Sequence, residues 1–101
     1  MQAIKIEICA ALGERVPRIA EVAAARALSV RNLQRILRRQ DTSFRALVDE
    51  TRRDRAIALI LTELSADEIA ARLSFSDVRA FTLAFKRWTG TTPRVYRRPR
   101  P

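Results

Sequence analysis

The sequence contains no histidine, so the commonest general base and the commonest metal ligand are both missing. A single cysteine, Cys9, can form neither an internal disulfide nor a thiolate metal cage. Its neighbours Ile8, Ala10 and Ala11 suggest a small core residue, and one unpaired thiol fits a reducing compartment. Gly and Pro are scarce, at two and four residues, which argues against a turn-rich β fold and for long helices. The longest apolar run, Ala56 to Leu61, is far too short to span a bilayer. Lys5 and Glu7 interrupt the N-terminal apolar stretch, so no signal peptide is expected. A Gly-rich phosphate loop and a convergent set of carboxylates are also missing. The expectation is a chain without catalytic residues, cofactor, metal or membrane partner, located in the cytoplasm.

What is present is positive charge. Twenty Lys and Arg stand against eleven acids, for a net charge of +9, and only Lys5 and Lys86 of the twenty are lysine. The planar guanidinium fork suits phosphates and guanine edges, so the bias points to nucleic acid. With 48% apolar residues over 101 positions, the chain can also bury the core of one domain.

The pattern along the chain is helical. Gln2 to Leu12 alternates over Ile4, Ile6 and Ile8, but Ile4, Ile8 and Leu12 also fall at four-residue spacing, and we read a helix. Pro17 is placed to open a second helix, with Ile19, Val22 and Ala23 buried, ending near Ala27-Leu28. Ser29 caps a third helix to about Arg39, with Leu33, Ile36 and Leu37 inward. A long helix without Gly or Pro runs from Phe44 to about Glu63. Its polar middle, Asp49 to Arg55, suggests a strut of roughly 30 Å between two small cores. Ser65 and Glu68 form a capping box, followed by Ile69, Ala70 and Leu73. Ser76 caps a helix to about Trp88, with Phe81, Phe85 and Trp88 inward, and Gly90 ends it. Thr92-Pro93 starts a short last helix with Val95 and Tyr96 as packing residues, and the tail Arg97 to Pro101 reads as frayed. The fold class is therefore all-α with about seven helices. Residues 1–42 and 65–98 are expected as two helix-turn-helix units joined by a linker helix, 43–64.

A short helix, a tight turn and a capped helix occur twice, which is the helix-turn-helix signature. On the first capped helix Arg31, Gln34, Arg35 and Arg38 form one acid-free polar stripe. Arg suits guanine and Gln suits adenine in the major groove. On the second, Arg79, Leu83 and Lys86 line up beside Val78 and Thr82. Leu83 could touch a thymine methyl, pack on the strut or stand exposed. The Thr91–Arg94 turn is expected to offer free N–H groups to a phosphate. A basic helical RNA-binding or protein-interaction module is the alternative, although the aromatic residues read as core rather than as stacking platforms.

The stretch from Ser29 to Leu37 (Ser-Val-Arg-Asn-Leu-Gln-Arg-Ile-Leu), with Thr42-Ser-Phe, Arg52 and Ala56, resembles the AraC/XylS DNA-binding domain. So does the run from Glu68 to Asp77 (Glu-Ile-Ala-Ala-Arg-Leu-Ser-Phe-Ser-Asp), continued by Phe81, Phe85-Lys-Arg-Trp-Thr-Gly and Pro93-Arg-Val-Tyr-Arg. The likeness covers nearly the whole chain. It implies a regulator of transcription, usually an activator that works with RNA polymerase, whose two second helices enter successive major grooves of double-stranded DNA. By position it implies base contacts from Arg31, Gln34 and Arg35, then from Val78, Arg79, Thr82 and Leu83. Ala27 and Ser74 stand where that family usually has turn glycines, Asp41 replaces a third, and Leu83 stands where Arg is common. Most members carry a separate sensing or dimerisation domain, for which 101 residues leave no room. The chain is then an excised C-terminal domain or a stand-alone regulator.

Overall fold

The computed structural model describes residues 2–98. Among them are seven helices and no strand: α1 Gln2–Ala11, α2 Ile19–Ala25, α3 Val30–Arg39, α4 Phe44–Ile60, α5 Ala66–Arg72, α6 Val78–Thr89 and α7 Pro93–Arg97. The molecule is elongated, 47 × 26 × 20 Å.

Local chemistry sets most of the boundaries. Ser29 Oγ accepts the Asn32 N–H and starts α3, and Ser65 and Glu68 close the expected capping box on α5. Two helix starts differ from expectation. Pro17 is buried before the cap, and Arg18 is the N-cap of α2 without a side-chain bond. Asp77 rather than Ser76 caps α6, its carboxylate accepting the Ala80 N–H at 2.8 Å. A charged acceptor at the positive end of a helix is favoured over a neighbouring hydroxyl.

Three helices end in the same way. After α2, Leu28 N–H bonds to Ala23 O and Ala27 N–H to Ala24 O. The same paired bonds follow α3, from Thr42 to Leu37 and Asp41 to Arg38, and α5, from Phe75 to Ala70 and Ser74 to Ala71. This is the Schellman motif, which needs a left-handed residue at its corner. Ala27, Asp41 and Ser74 occupy those corners with φ of 55°, 55° and 60°. The turn glycines missing from the sequence are therefore missing where the backbone would use them. Asp tolerates this region better than Ala or Ser. Ala27→Gly is expected to stabilise the chain by ~1 kcal/mol, the relief of φ strain less the extra freedom of glycine when unfolded. Ser74→Gly should come out near zero, because it also removes a hydrogen bond from the Ser74 hydroxyl to the Leu12 carbonyl, worth ~1 kcal/mol. Urea unfolding of the two variants tests this; equal gains would mean that the hydroxyl contributes nothing.

The central helix α4 has 17 residues, about 26 Å of rise, and stops at Ile60 rather than near Glu63. It is not a bare strut between two cores. One continuous apolar cluster runs from Ile4, Ile8 and Leu12 through Val22, Leu33, Leu47 and Ala56 to Ile69, Phe81 and Phe85. Helix α1 covers the polar middle of α4, where Lys5 sits 3.3 Å from both Glu50 and Asp54. Thr51 is buried there, its hydroxyl donating to Leu47 O at 2.7 Å.

Several residues expected inside are not fully so. Cys9, Ile19 and Trp88 are half-buried, and Val95 is 48% exposed on α7, whose inward face is taken by Pro93 and by Tyr96 against Phe85. Arg97, read as part of a frayed tail, is instead pinned: its guanidinium donates to Ile60 O at 2.9 Å and to Leu64 O, closing the end of α4. Residues 99–101 of that tail lie outside the described residues.

Candidate nucleic-acid interface

In the first unit, burial of Val22, Ala23, Leu33 and Leu37 fixes the roll of α3 on α2. With that face down, Arg31, Gln34, Arg35 and Arg38 all stand exposed on the outer side. Ile36, expected inward, is 38% exposed. It lies on the flank of the helix, because a 100° step per residue sets it about 80° from the direction that Leu33 and Leu37 share.

In the second unit, Phe81, Ala84 and Phe85 hold α6 down. The aromatic rings of Phe75, Phe81 and Phe85 pack in series at centroid distances of 5.6 and 5.7 Å, and Tyr96 meets Phe85 edge-on at 5.3 Å. Arg79, Leu83 and Lys86 are exposed, while Val78 and Thr82 are half-buried at the margin. Thr82 donates its hydroxyl proton to Val78 O at 2.8 Å, so toward a ligand it presents a methyl group and acceptor lone pairs only. Leu83 is 62% exposed and borders a groove of about 850 Å³ between α6 and the first half of α4. Leu83 is therefore exposed and not packed away against the strut.

The ion pairs divide the basic residues into two sets. Lys5, Arg15, Arg26, Arg53 and Arg87 each meet a carboxylate. Arg52 and Arg97 are spent on backbone carbonyls. Among the described residues, Arg31, Arg35, Arg38, Arg79 and Lys86 have no hydrogen-bond or ion-pair partner. Exposed pairs add little to stability, but they do neutralise charge locally. Five uncompensated cations therefore stand on the two outward stripes, while Arg39, Arg45, Arg55, Arg94 and Arg98, also exposed and without such a partner among the described residues, stand off them.

Sequence reasoning missed one part of the interface. In the Thr91–Arg94 turn, Pro93 has no N–H and Thr89 Oγ1 accepts that of Thr91 at 3.3 Å, which leaves the N–H groups of Thr92 and Arg94 without an acceptor among the described residues. The missed residue that joins the units is Arg52 of α4. Its guanidinium donates to Leu73 O at 3.0 Å and Ser74 O at 2.7 Å, and lies 4.1 Å from the centre of the Phe75 ring. Burial pushes its pKa below the ordinary arginine range, and Asp49 partly offsets this. No periodicity marks this residue, since its partners are 21 and 22 positions away. Among the described residues no group of His, Cys, Asp and Glu could hold a metal ion, and no helix is long and apolar enough to cross a membrane.

The model of a family described as "Helix-turn-helix domain" matches residues 22–99. The ornithine utilization regulator of Pseudomonas aeruginosa is 40% identical over 77 residues, 73% of this chain and 23% of that protein. The HTH-type transcriptional regulator VqsM of the same species is 32% identical over 85 residues, 83% of this chain and 26% of that protein. The chain thus spans about a quarter of the length of the curated relatives it matches. Among solved structures, the transcriptional regulator CdpR from Pseudomonas aeruginosa superposes with a TM-score of 0.79 at 38% identity, over 93% of this chain and 31% of that one. The DNA-binding domain of the global transcriptional factor AdpA, solved in complex with a target DNA, superposes with a TM-score of 0.77 at 25% identity, over 95% of this chain and 87% of that one.

Proposed function

Because the chain belongs to the AraC-type helix-turn-helix family, we propose that it is the DNA-reading part of a transcription regulator and places α3 and α6 in successive major grooves of double-stranded DNA. One observation carries this reading. Two helix-turn-helix pairs, each closed by a Schellman corner, present outward stripes whose cations have no hydrogen-bond or ion-pair partner among the described residues.

Arg31, Gln34 and Arg35 are the base readers of the first unit, with Arg38 at its edge. Val78, Arg79, Thr82 and Leu83 face the bases in the second unit, and Lys86 anchors a phosphate. The functional division is then residues 1–42, the linker 43–64, and residues 65–98. Activation through RNA polymerase, a sensing or dimerisation domain outside these residues, and a cytoplasmic, nucleoid-associated location complete the proposal. The role is one of binding, with no chemistry assigned to any side chain.

The test is fluorescence anisotropy with duplex DNA, duplex RNA and single strands at one salt concentration, followed by a salt series and a base-by-base operator scan. Duplex DNA should bind tightest. Four or more phosphate contacts would give a slope of log K against log salt of about −3.6 or steeper, at about −0.9 per contact. A slope shallower than about −2, or RNA bound as tightly as DNA, would overturn the proposal. Substituted bases should cost ~1–3 kcal/mol each under α3. They should cost markedly less under α6, where Leu83 cannot hydrogen-bond a base edge and Thr82 has no free donor.

A further inference from the structure

We propose that Arg45, in the first turn of α4, grips the phosphate backbone lying between the two base-reading helices. This inference rests on the DNA-binding reading above and adds a contact that neither stripe contains.

Arg45 borders two clefts at once. One, of about 390 Å³, is shared with Gln34, Leu37 and Arg38 of α3. The other is the 850 Å³ groove shared with Leu83, Ala84 and Arg87 of α6. A side chain that edges both outward helices stands where the backbone separating two successive major grooves must pass. Arg45 is exposed and has no partner among the described residues. Its nearest carboxylate along the helix, Asp49, is engaged by Arg87 at 3.0 Å. Helix stability does not account for the charge either. The first turn of α4 holds no acid, and a cation beside the positive end of a helix is unfavourable. A guanidinium left unneutralised at the wrong end of a helix, beside both stripes, is suited to a phosphodiester.

The experiment compares the unaltered chain with Arg45→Ala, Arg45→Lys and Arg55→Ala. Arg55 is an exposed, unpaired arginine of the same helix that borders α1 instead of either stripe, and its loss changes the net charge equally. The probes are a duplex of about three helical turns carrying a site enriched from a random pool, and a scrambled duplex of the same composition. Arg45→Ala should make the salt slope shallower by about 0.9, equivalent to about eightfold weaker binding at 0.1 M salt when referred to 1 M. The loss should be equal on both duplexes, Arg45→Lys should keep the slope, and Arg55→Ala should move it little. The melting temperature of Arg45→Ala should stay at or above that of the unaltered chain. An unchanged slope, an equal fall for Arg55→Ala, a loss confined to the enriched site, or a lowered melting temperature each overturns the proposal. Failure of the unaltered chain to prefer duplex DNA would instead strike the parent reading.

Discussion

Replacing Arg52 by methionine should cost ~2–4 kcal/mol of folding stability, the combined loss of two charge-assisted hydrogen bonds within a partly buried site. Methionine can follow the aliphatic path over Phe75 but leaves the carbonyls of Leu73 and Ser74 without their donor. Those carbonyls sit at the end of α5, within the left-handed turn at Ser74, so the loss falls where the backbone already carries strain. Lysine should rescue little. An ammonium cannot fork across two carbonyls while lying flat on a ring. Denaturant unfolding would give the cost, and amide exchange would show whether protection falls first around Leu73 to Phe75. A change below about 1 kcal/mol would mean that water replaces the guanidinium without penalty.

Phe85→Ala should be worse, at ~3–5 kcal/mol, the usual cost of emptying a fully buried aromatic site. Phe85 is wholly buried, and its ring meets Phe81 on one side and Tyr96 on the other. Truncation therefore removes the support of α6 and the docking of α7 together. A chain of this size has ~5–15 kcal/mol in all, so the variant should be partly unfolded at 37 °C. Phe85→Leu, which refills much of the volume, should cost less than half as much. Calorimetry on both variants decides it; equal and small losses would show that the second unit repacks freely around the site.

Much of this architecture was readable before any coordinates, and the reasons are local. Ser29, Ser65 and Glu68 act on N–H groups three residues away at most, and such chemistry is written in consecutive letters. The outward stripes were readable because a 3.6-residue period sorts Arg31, Gln34, Arg35 and Arg38 from Leu33 and Leu37. Where two capping residues adjoin, as at Ser76 and Asp77, the letters do not say which one the helix uses. Ile36 and Val95 were expected inside because they are apolar, but helix roll is set by partners distant in sequence. The polar middle of α4 reads as solvated until α1 is laid across it and Lys5 reaches Glu50 and Asp54. Arg97 reads as tail until Ile60, at the end of α4, and Leu64, beyond it, each offer it a carbonyl. For Lys5 and Arg97 the deciding partner lies tens of residues away, beyond the reach of any periodicity.

The continuity of the core has a consequence for the nucleic acid. Arg52 ties α4 to the turn before α6, the Ser74 hydroxyl ties that turn to α1, and one apolar cluster fills the space between the two units. The continuous core opposes a change in the span between α3 and α6. In the proposed complex, a mismatch between that span and the pitch of the duplex would then fall in good part on the DNA. The base steps between the two half-sites, touched by neither stripe, would then be selected for pliancy: readily kinked pyrimidine–purine steps would be favoured and stiff A-tracts disfavoured. An operator for this chain would carry information in the mechanics of its spacer as well as in the letters of its half-sites.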